Sequence, residues 1–142
     1  MHTVNQLLQS KGFDVVTIDL NASVFEALKL MAEKGIGSLV VLENGSVAGL
    51  FSERDYARNI ILKGRTSKET SVEEIMTRHV IVITPQQSVE ECMAIMTDKR
   101  VRHLPVMQDE KLVGIISIGD LVKAIIEEQQ FVIEQLVSYI NG

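Results

Sequence analysis

Short runs of apolar residues at strand spacing give way to apolar residues at helical spacing, and the chain passes through this succession twice. In the first pass VVTI reads as a strand, Ser23–Lys34 as a helix with apolar residues at 24, 27, 28, 30 and 31, SLVVL and SVAGLF as two strands around the turn ENG, and Arg54–Leu62 as a helix. VIVIT, Ser88–Asp98, HLPVM, LVGIIS and Gly119–Ile126 follow in the same order. Each pass is led by a short helix, TVNQLL at 3–8 and SVEEIM at 71–76. Asn44-Gly45 and Asp109-Glu110 fall where a hairpin must turn, which is ordinary turn chemistry.

Shifted by 65 positions, Val16–Ile61 aligns with Ile81–Ile126 without a gap, and 13 of the 46 columns are identical. The lead helices align at an offset of 68, the connector SKGFD carrying three extra residues. Such self-similarity marks a tandem duplication of a unit of about 60 residues. The expected class is α/β, with β-α-β-β-α units at 1–66 and 67–126 and a further helix at 127–142. A unit this small buries too little surface alone, so the two are expected to pack as a pseudo-two-fold pair. LKGRTSKET at 62–70 is the expected linker. Past Ile126 the apolar positions 125, 126, 132, 133, 136, 137 and 140 make one helical stripe, which suggests a partner subunit over packing back on the body.

Composition narrows the function. The 142 residues are 46% apolar, enough for one core, and no apolar run approaches the roughly 20 residues a membrane span needs. With no basic, greasy start the chain is expected to be cytoplasmic. One cysteine, Cys92, excludes a disulfide framework or a cysteine-rich zinc site within the chain. The net charge of −5 argues against general nucleic-acid binding. Nine of the 14 Lys and Arg lie between Arg54 and Arg102, which leaves room for a local pocket for a small anion.

Two stretches repeat one skeleton, Gly-h-h-Ser-x-x-Asp: GLFSERD at 49–55 and GIISIGD at 114–120. Ser-x-x-Asp can be a helix cap. Yet Thr3–Gln6, Ser23–Glu26, Ser71–Glu74 and Ser88–Glu91 are capping-box candidates too, and all four use Glu or Gln. The shorter arm of Asp is less suited to reaching back, so another role is expected for Asp55 and Asp120. A carboxylate can accept from two neighbouring hydroxyls such as those of a ribose, the Ser and the first amides of the following helix suit phosphate, and the Gly permits close approach of backbone or ligand. The features fit a nucleoside-phosphate site in duplicate.

With ITP at 83–85 and RVRHLPV at 100–106, these stretches resemble the tandem cystathionine-β-synthase (CBS) domain pair, in particular stand-alone bacterial pairs with SERDY and SIGDLVK. The resemblance runs from Thr3 to about Ile126. It implies two units packed as a pair, homodimers, and clefts that bind adenine nucleotides such as AMP, ATP or NAD. By residue, it implies one cleft with Asp55 on ribose, Ser52 and Arg54 near phosphate, and Thr84, Val101, Arg102 and His103 opposite. The other would use Asp120 for ribose with Ser117 and Ile115, facing Thr17, Ile36 and Ser38. Asp19-Leu20 stands where the second unit has Thr84-Pro85, and Gly119 where the first has Arg54. The Asp120 cleft is therefore expected to be poorer for phosphate, and Asp55 the better site.

Cys92 aligns with Ala27 on an inward helix face and has no partners for nucleophilic use, and His2, His79 and His103 lack metal-ligand spacing. Met31, Met93 and Met96 fall on inner helix faces. No P-loop, nucleophile–base pair or catalytic carboxylate pair stands out, so the expectation is a non-enzymatic sensor with no catalytic residues and no metal, acting on an unidentified protein target. The alternatives are a protein-interaction module without nucleotide binding, and a nucleotide hydrolase using Asp55 as base.

Overall fold

Every α-helix begins on a hydroxyl-bearing residue, because a Ser or Thr oxygen can satisfy an amide left unpaired in the first turn. In the computed structural model, which describes residues 3–142, these caps are Thr3, Ser23, Ser52, Ser71, Ser88 and Ser117. His2 lies outside the described residues. The chain forms two compact units, Val15–Ile81 and the described residues up to Asp14 together with Val82–Gly142. The α/β class and the added C-terminal helix hold.

In the unit Val15–Ile81, β1 (Thr17–Asp19) runs parallel to β2 (Ser38–Glu43), which pairs antiparallel with β3 (Ser46–Ser52). Asn44 and Gly45 both take positive φ at the β2–β3 turn, as a two-residue hairpin with the native strand twist requires. Helix α2 (Val24–Lys34) buries Val24, Ala27 and Met31 against Leu39, Val41 and Phe51 of the sheet. Helix α3 (Glu53–Tyr56) then widens into a π-helical turn, Ala57–Ile61, in which the Leu62 amide donates to the Ala57 carbonyl. The widened turn keeps Ile60 in the core while Ile61 and Leu62 remain exposed.

The expected linker is not a free tether. Its Thr70 and Ser67 carbonyls accept from the Val24 and Phe25 amides at the start of α2, and the Lys68 ammonium lies 5.0 Å from the centre of the Phe25 ring. Helix α4 (Val72–Ile75) follows, its Val72 and Glu73 amides donating to the Ala22 and Leu20 carbonyls.

The other unit is built the same way from distant segments. Helix α1 (Val4–Lys11) docks through Val4 and Asn5 amides on the Gln87 and Pro85 carbonyls. Helix α5 (Val89–Lys99) buries Val89, Cys92 and Met96, and β4 (His103–Gln108) pairs antiparallel with β5 (Lys111–Ser117). Helix α6 runs unbroken from Ile118 to Asn141, about 36 Å at 1.5 Å per residue. The sequence repeats and the packing units therefore differ: each lead helix packs on the body of the other repeat.

One expected strand is reduced. VIVIT contributes a single bridge, Ile83 with Val106, in which the Ile83 amide donates to the Pro105 carbonyl and the Met107 amide to the Ile83 carbonyl. Both prolines of the chain explain this. In the other unit the equivalent ladder includes bonds from the Val40 amide to the Val16 carbonyl and from the Leu20 amide to the Leu42 carbonyl. Pro105 and Pro85 occupy the matching donor positions and carry no amide hydrogen, so both flanking bonds are lost.

The glycine that opens each repeated skeleton also has a structural explanation. A Cβ on Gly49 would lie 2.6 Å from the Thr77 carbonyl oxygen, and one on Gly114 would lie 2.6 Å from Leu8 Cδ2. The close approach expected for backbone or ligand is made by the lead segments themselves.

Candidate functional site

At the end of each hairpin the last strand residue is also a helix cap, and this places the repeated Ser and Asp at one edge of the sheet. In the unit Val15–Ile81, Ser52 stands directly across from Ser38, Thr17 pairs with Val40 two residues along, and the Glu53 amide donates to the Gly37 carbonyl next to Ile36. Thr17, Ile36, Ser38, Ser52, Arg54 and Asp55 thus share one sheet edge. Ser38 is buried, Asp55 half-buried and Arg54 exposed.

The Asp55 carboxylate reaches back to its own cap. Oδ2 accepts from the Ser52 amide at 2.9 Å and from the Ser52 hydroxyl at 3.1 Å, while the Asp55 amide donates to Ser52 Oγ at 3.3 Å. Oδ1 accepts from the Thr77 hydroxyl at 3.2 Å. The expectation that the shorter arm of Asp is less suited to reaching back is not met, since both Asp boxes close. Asp120 does the same, with Ser117 N to Oδ2 at 2.8 Å and Asp120 N to Ser117 Oγ at 3.1 Å. Capping accounts for one carboxylate oxygen of each pair and leaves the other to be used elsewhere.

The second edge carries His103 directly across from Ser117, with the Ile118 amide donating to the Arg102 carbonyl. Val101, Arg102, His103, Ile115, Ser117 and Asp120 gather there, and Thr84 is exposed one residue past the Ile83 bridge. Here the sequence reading missed a residue. The Lys11 ammonium lies 2.5 Å from Asp120 Oδ2 and donates to the Ile115 carbonyl at 2.7 Å. The signal was the connector SKGFD with its three extra residues, which contains Lys11: α1 runs on to Lys11, whereas α4 stops at Ile75. Thr77, the neutral neighbour of Asp55, was missed in the same way.

Charge at the second edge is set by these contacts. Burial is the largest single influence on Asp120 and raises its pKa, but the Lys11 ammonium and the Ser117 amide together outweigh it and hold the carboxyl below the usual range. Burial is also the main reason His103 titrates below an ordinary imidazole, and Lys11 adds to it while Asp120 opposes. Cys92 is pushed up to about 11 by burial and by Glu91, so it is a protonated core thiol, poorly suited to nucleophilic attack.

The family model of the CBS domain matches this chain twice, at residues 8–62 and 72–127. The chain belongs to the CBS domain family. This tandem CBS pair is 38% identical over 149 residues to the mitochondrial CBS domain-containing protein CBSX3 of Arabidopsis thaliana, covering 99% of this chain and 72% of that one. A putative signal-transduction protein with CBS domains from Burkholderia ambifaria superposes with a TM-score of 0.86 at 52% identity, over 90% of this chain and 96% of that one. A hexameric CBS-CP12 protein from bloom-forming cyanobacteria superposes with a TM-score of 0.77 at 31% identity, covering 85% and 66%. These relatives are named for their CBS domains or for signal transduction rather than for a reaction, and the CBS pair is a regulatory module. Among the described residues no helix is long and apolar enough to cross a membrane.

Proposed function

We propose that this CBS pair is a cytoplasmic, homodimeric sensor of an adenine nucleotide of the AMP, ATP or NAD class, with Asp55 as the principal ribose contact. The observation that carries the reading is the Asp55 carboxylate, fixed by its own cap, half-buried at a sheet edge, with its other partners two neutral hydroxyls that can rotate away. A vicinal diol can replace them without leaving a buried group unpaired. Ser52 and Arg54 lie in the same turn to meet phosphate, and Thr84, Val101, Arg102 and His103 are further residues proposed for this ligand. Asp120, Ser117, Ile115, Thr17, Ile36 and Ser38 are proposed for a second nucleotide. Ligand would act by linkage, shifting whichever packing it binds better by its differential affinity.

Thermal unfolding with AMP, ATP and NADH tests this. Ligand at about 100-fold over its dissociation constant stabilises the fold by roughly 2.7 kcal/mol, and D55N should abolish the shift while leaving the unliganded transition in place. Absence of any shift in the wild type would overturn the reading. It would favour a protein-interaction module working through α6, whose residues past Leu121 expose Ile126, Phe131, Ile133, Leu136 and Ile140.

A further inference from the structure

The repeated Ser-x-x-Asp turns are capped in the same way but differ in what else the carboxylate holds. At Asp55 the extra partners are the Ser52 and Thr77 hydroxyls, at 3.1 and 3.2 Å. At Asp120 the extra partner is an ammonium, held at 2.5 Å and locked a second time by the Ile115 carbonyl at 2.7 Å. A hydroxyl yields a carboxylate oxygen by turning about one bond. An ammonium does not, because charge-assisted bonds are about twice as strong as neutral ones, and displacing it separates a positive charge from its partner. Lys11 is only partly exposed, at 31% of its side-chain surface, and Asp120 less so at 23%, so water replaces the pair poorly.

We propose that Lys11 is an internal competitor for Asp120, a latch that closes the second nucleotide site and makes the two halves of the duplicated protein unequal. The inference rests on the nucleotide reading above, with Asp120 as a diol acceptor, and adds the residue that decides which copy of the motif is used. The ammonium neutralises the carboxylate that hydroxyl donors would seek and, together with the Ser117 amide, fills Oδ2, so a diol reaching across both oxygens meets a positive charge there. The lead helix α1 comes from the first repeat, so the asymmetry is built by the longer of the two lead helices, which ends on Lys11, and not by the repeated motif.

The test is the stoichiometry of AMP binding by equilibrium dialysis and titration calorimetry on the full chain. Wild type should bind one AMP per chain and D55N none. K11M should bind two, and K11M/D55N one, restored from zero. K11M/D120N should return to one, and K11R, which keeps the charge, should match wild type. The second site in K11M should bind at least about tenfold more tightly than any residual second site in wild type, with circular dichroism showing the fold retained and K11Q repeating the result. One AMP per chain in K11M, two in wild type, or weaker binding in K11M would each overturn the latch while leaving the Asp55 reading intact. A D55N protein that binds like wild type would sink the Asp55 assignment; gain of a D120N-sensitive site in K11M would then still support the latch. No AMP bound by wild type or K11M would overturn both.

Discussion

Gly114→Ala isolates the physical role of the glycine that begins each repeated skeleton. The new methyl carbon would lie 2.6 Å from Leu8 Cδ2 and 2.9 Å from Cδ1, against the roughly 3.5–4.0 Å at which carbon atoms attract. Leu8 is fully buried and cannot swing into solvent. Overpacking of this kind costs about 1–3 kcal/mol, offset by about 0.4–1 kcal/mol from the smaller entropy of the unfolded chain, so the net loss should be about 1–2 kcal/mol. With a urea m-value of about 2 kcal/mol/M the midpoint falls by about 0.5–1 M. Leu8→Ala alone should cost about 2–5 kcal/mol. In L8A/G114A the clashing atoms are gone and the methyl enters the space they leave, so the double variant should be more stable than the sum of the singles by about 1–3 kcal/mol. Additivity within about 0.5 kcal/mol would refute the packing explanation and return the glycine to ligand approach. Gly49→Ala provides the contrast, since its nearest neighbour is a backbone oxygen at 2.6 Å that no side-chain truncation removes.

Acid should destabilise the protein in two stages. His103 titrates low in the fold, so below about pH 6.5 the unfolded chain takes up the proton first and stability falls as pH drops; H103Q should flatten this part of a urea-midpoint profile. Asp120 is depressed by Lys11, so the wild-type advantage over K11M, about 1 kcal/mol or less for a partly exposed pair, should hold down to about pH 4 and vanish below as Asp120 protonates; a constant difference to pH 2 would refute the pairing. I133D, placed where an isoleucine is 59% exposed on α6, should raise the dimer dissociation constant at least about 100-fold in sedimentation velocity without unfolding the chain, and a wild type already monomeric at tens of micromolar would refute the helix as dimer contact. D55E keeps both charge and capping chemistry, so it should leave stability within about 0.5 kcal/mol yet weaken AMP at least about tenfold; equal affinity would mean that the arm length serves only the cap.

Most of the fold was legible because local rules decide it. The duplication, the two hairpin turns at Asn44-Gly45 and Asp109-Glu110, and all six helix starts arise from residue types at fixed spacing. Three features were not legible for a shared reason: each depends on which backbone groups meet across long sequence separations. The lead helices dock by amides of one repeat on carbonyls of the other, and no pattern of apolar residues announces that. The weakened strand at Ile83 could have been inferred from Pro85 and Pro105, but only once their ladder partners were known. Lys11 at Asp120 spans 109 positions and resembles any exposed helical lysine in the sequence.

The capping boxes change how the repeated aspartates should be understood. Arm length does not separate them from the others, since Ser52 N to Asp55 and Ser117 N to Asp120, at 2.9 and 2.8 Å, are as short as Ser71 N to Glu74 at 2.8 Å and shorter than Ser88 N to Glu91 at 3.4 Å. Place and stiffness separate them instead. Only these two boxes sit directly after a hairpin strand, at the sheet edge, and an Asp has one fewer rotatable bond than a Glu, so closing the box leaves the remaining oxygen with almost no freedom. A ligand meeting that oxygen does not have to freeze the side chain, because the helix start has already done so. Structural capping and the proposed nucleotide recognition are therefore not rival explanations of Asp55: the first would hold the carboxylate ready for the second, whereas in the Asp120 box the Lys11 ammonium shares the capping oxygen Oδ2 and places a positive charge on the carboxylate before any ligand can meet it.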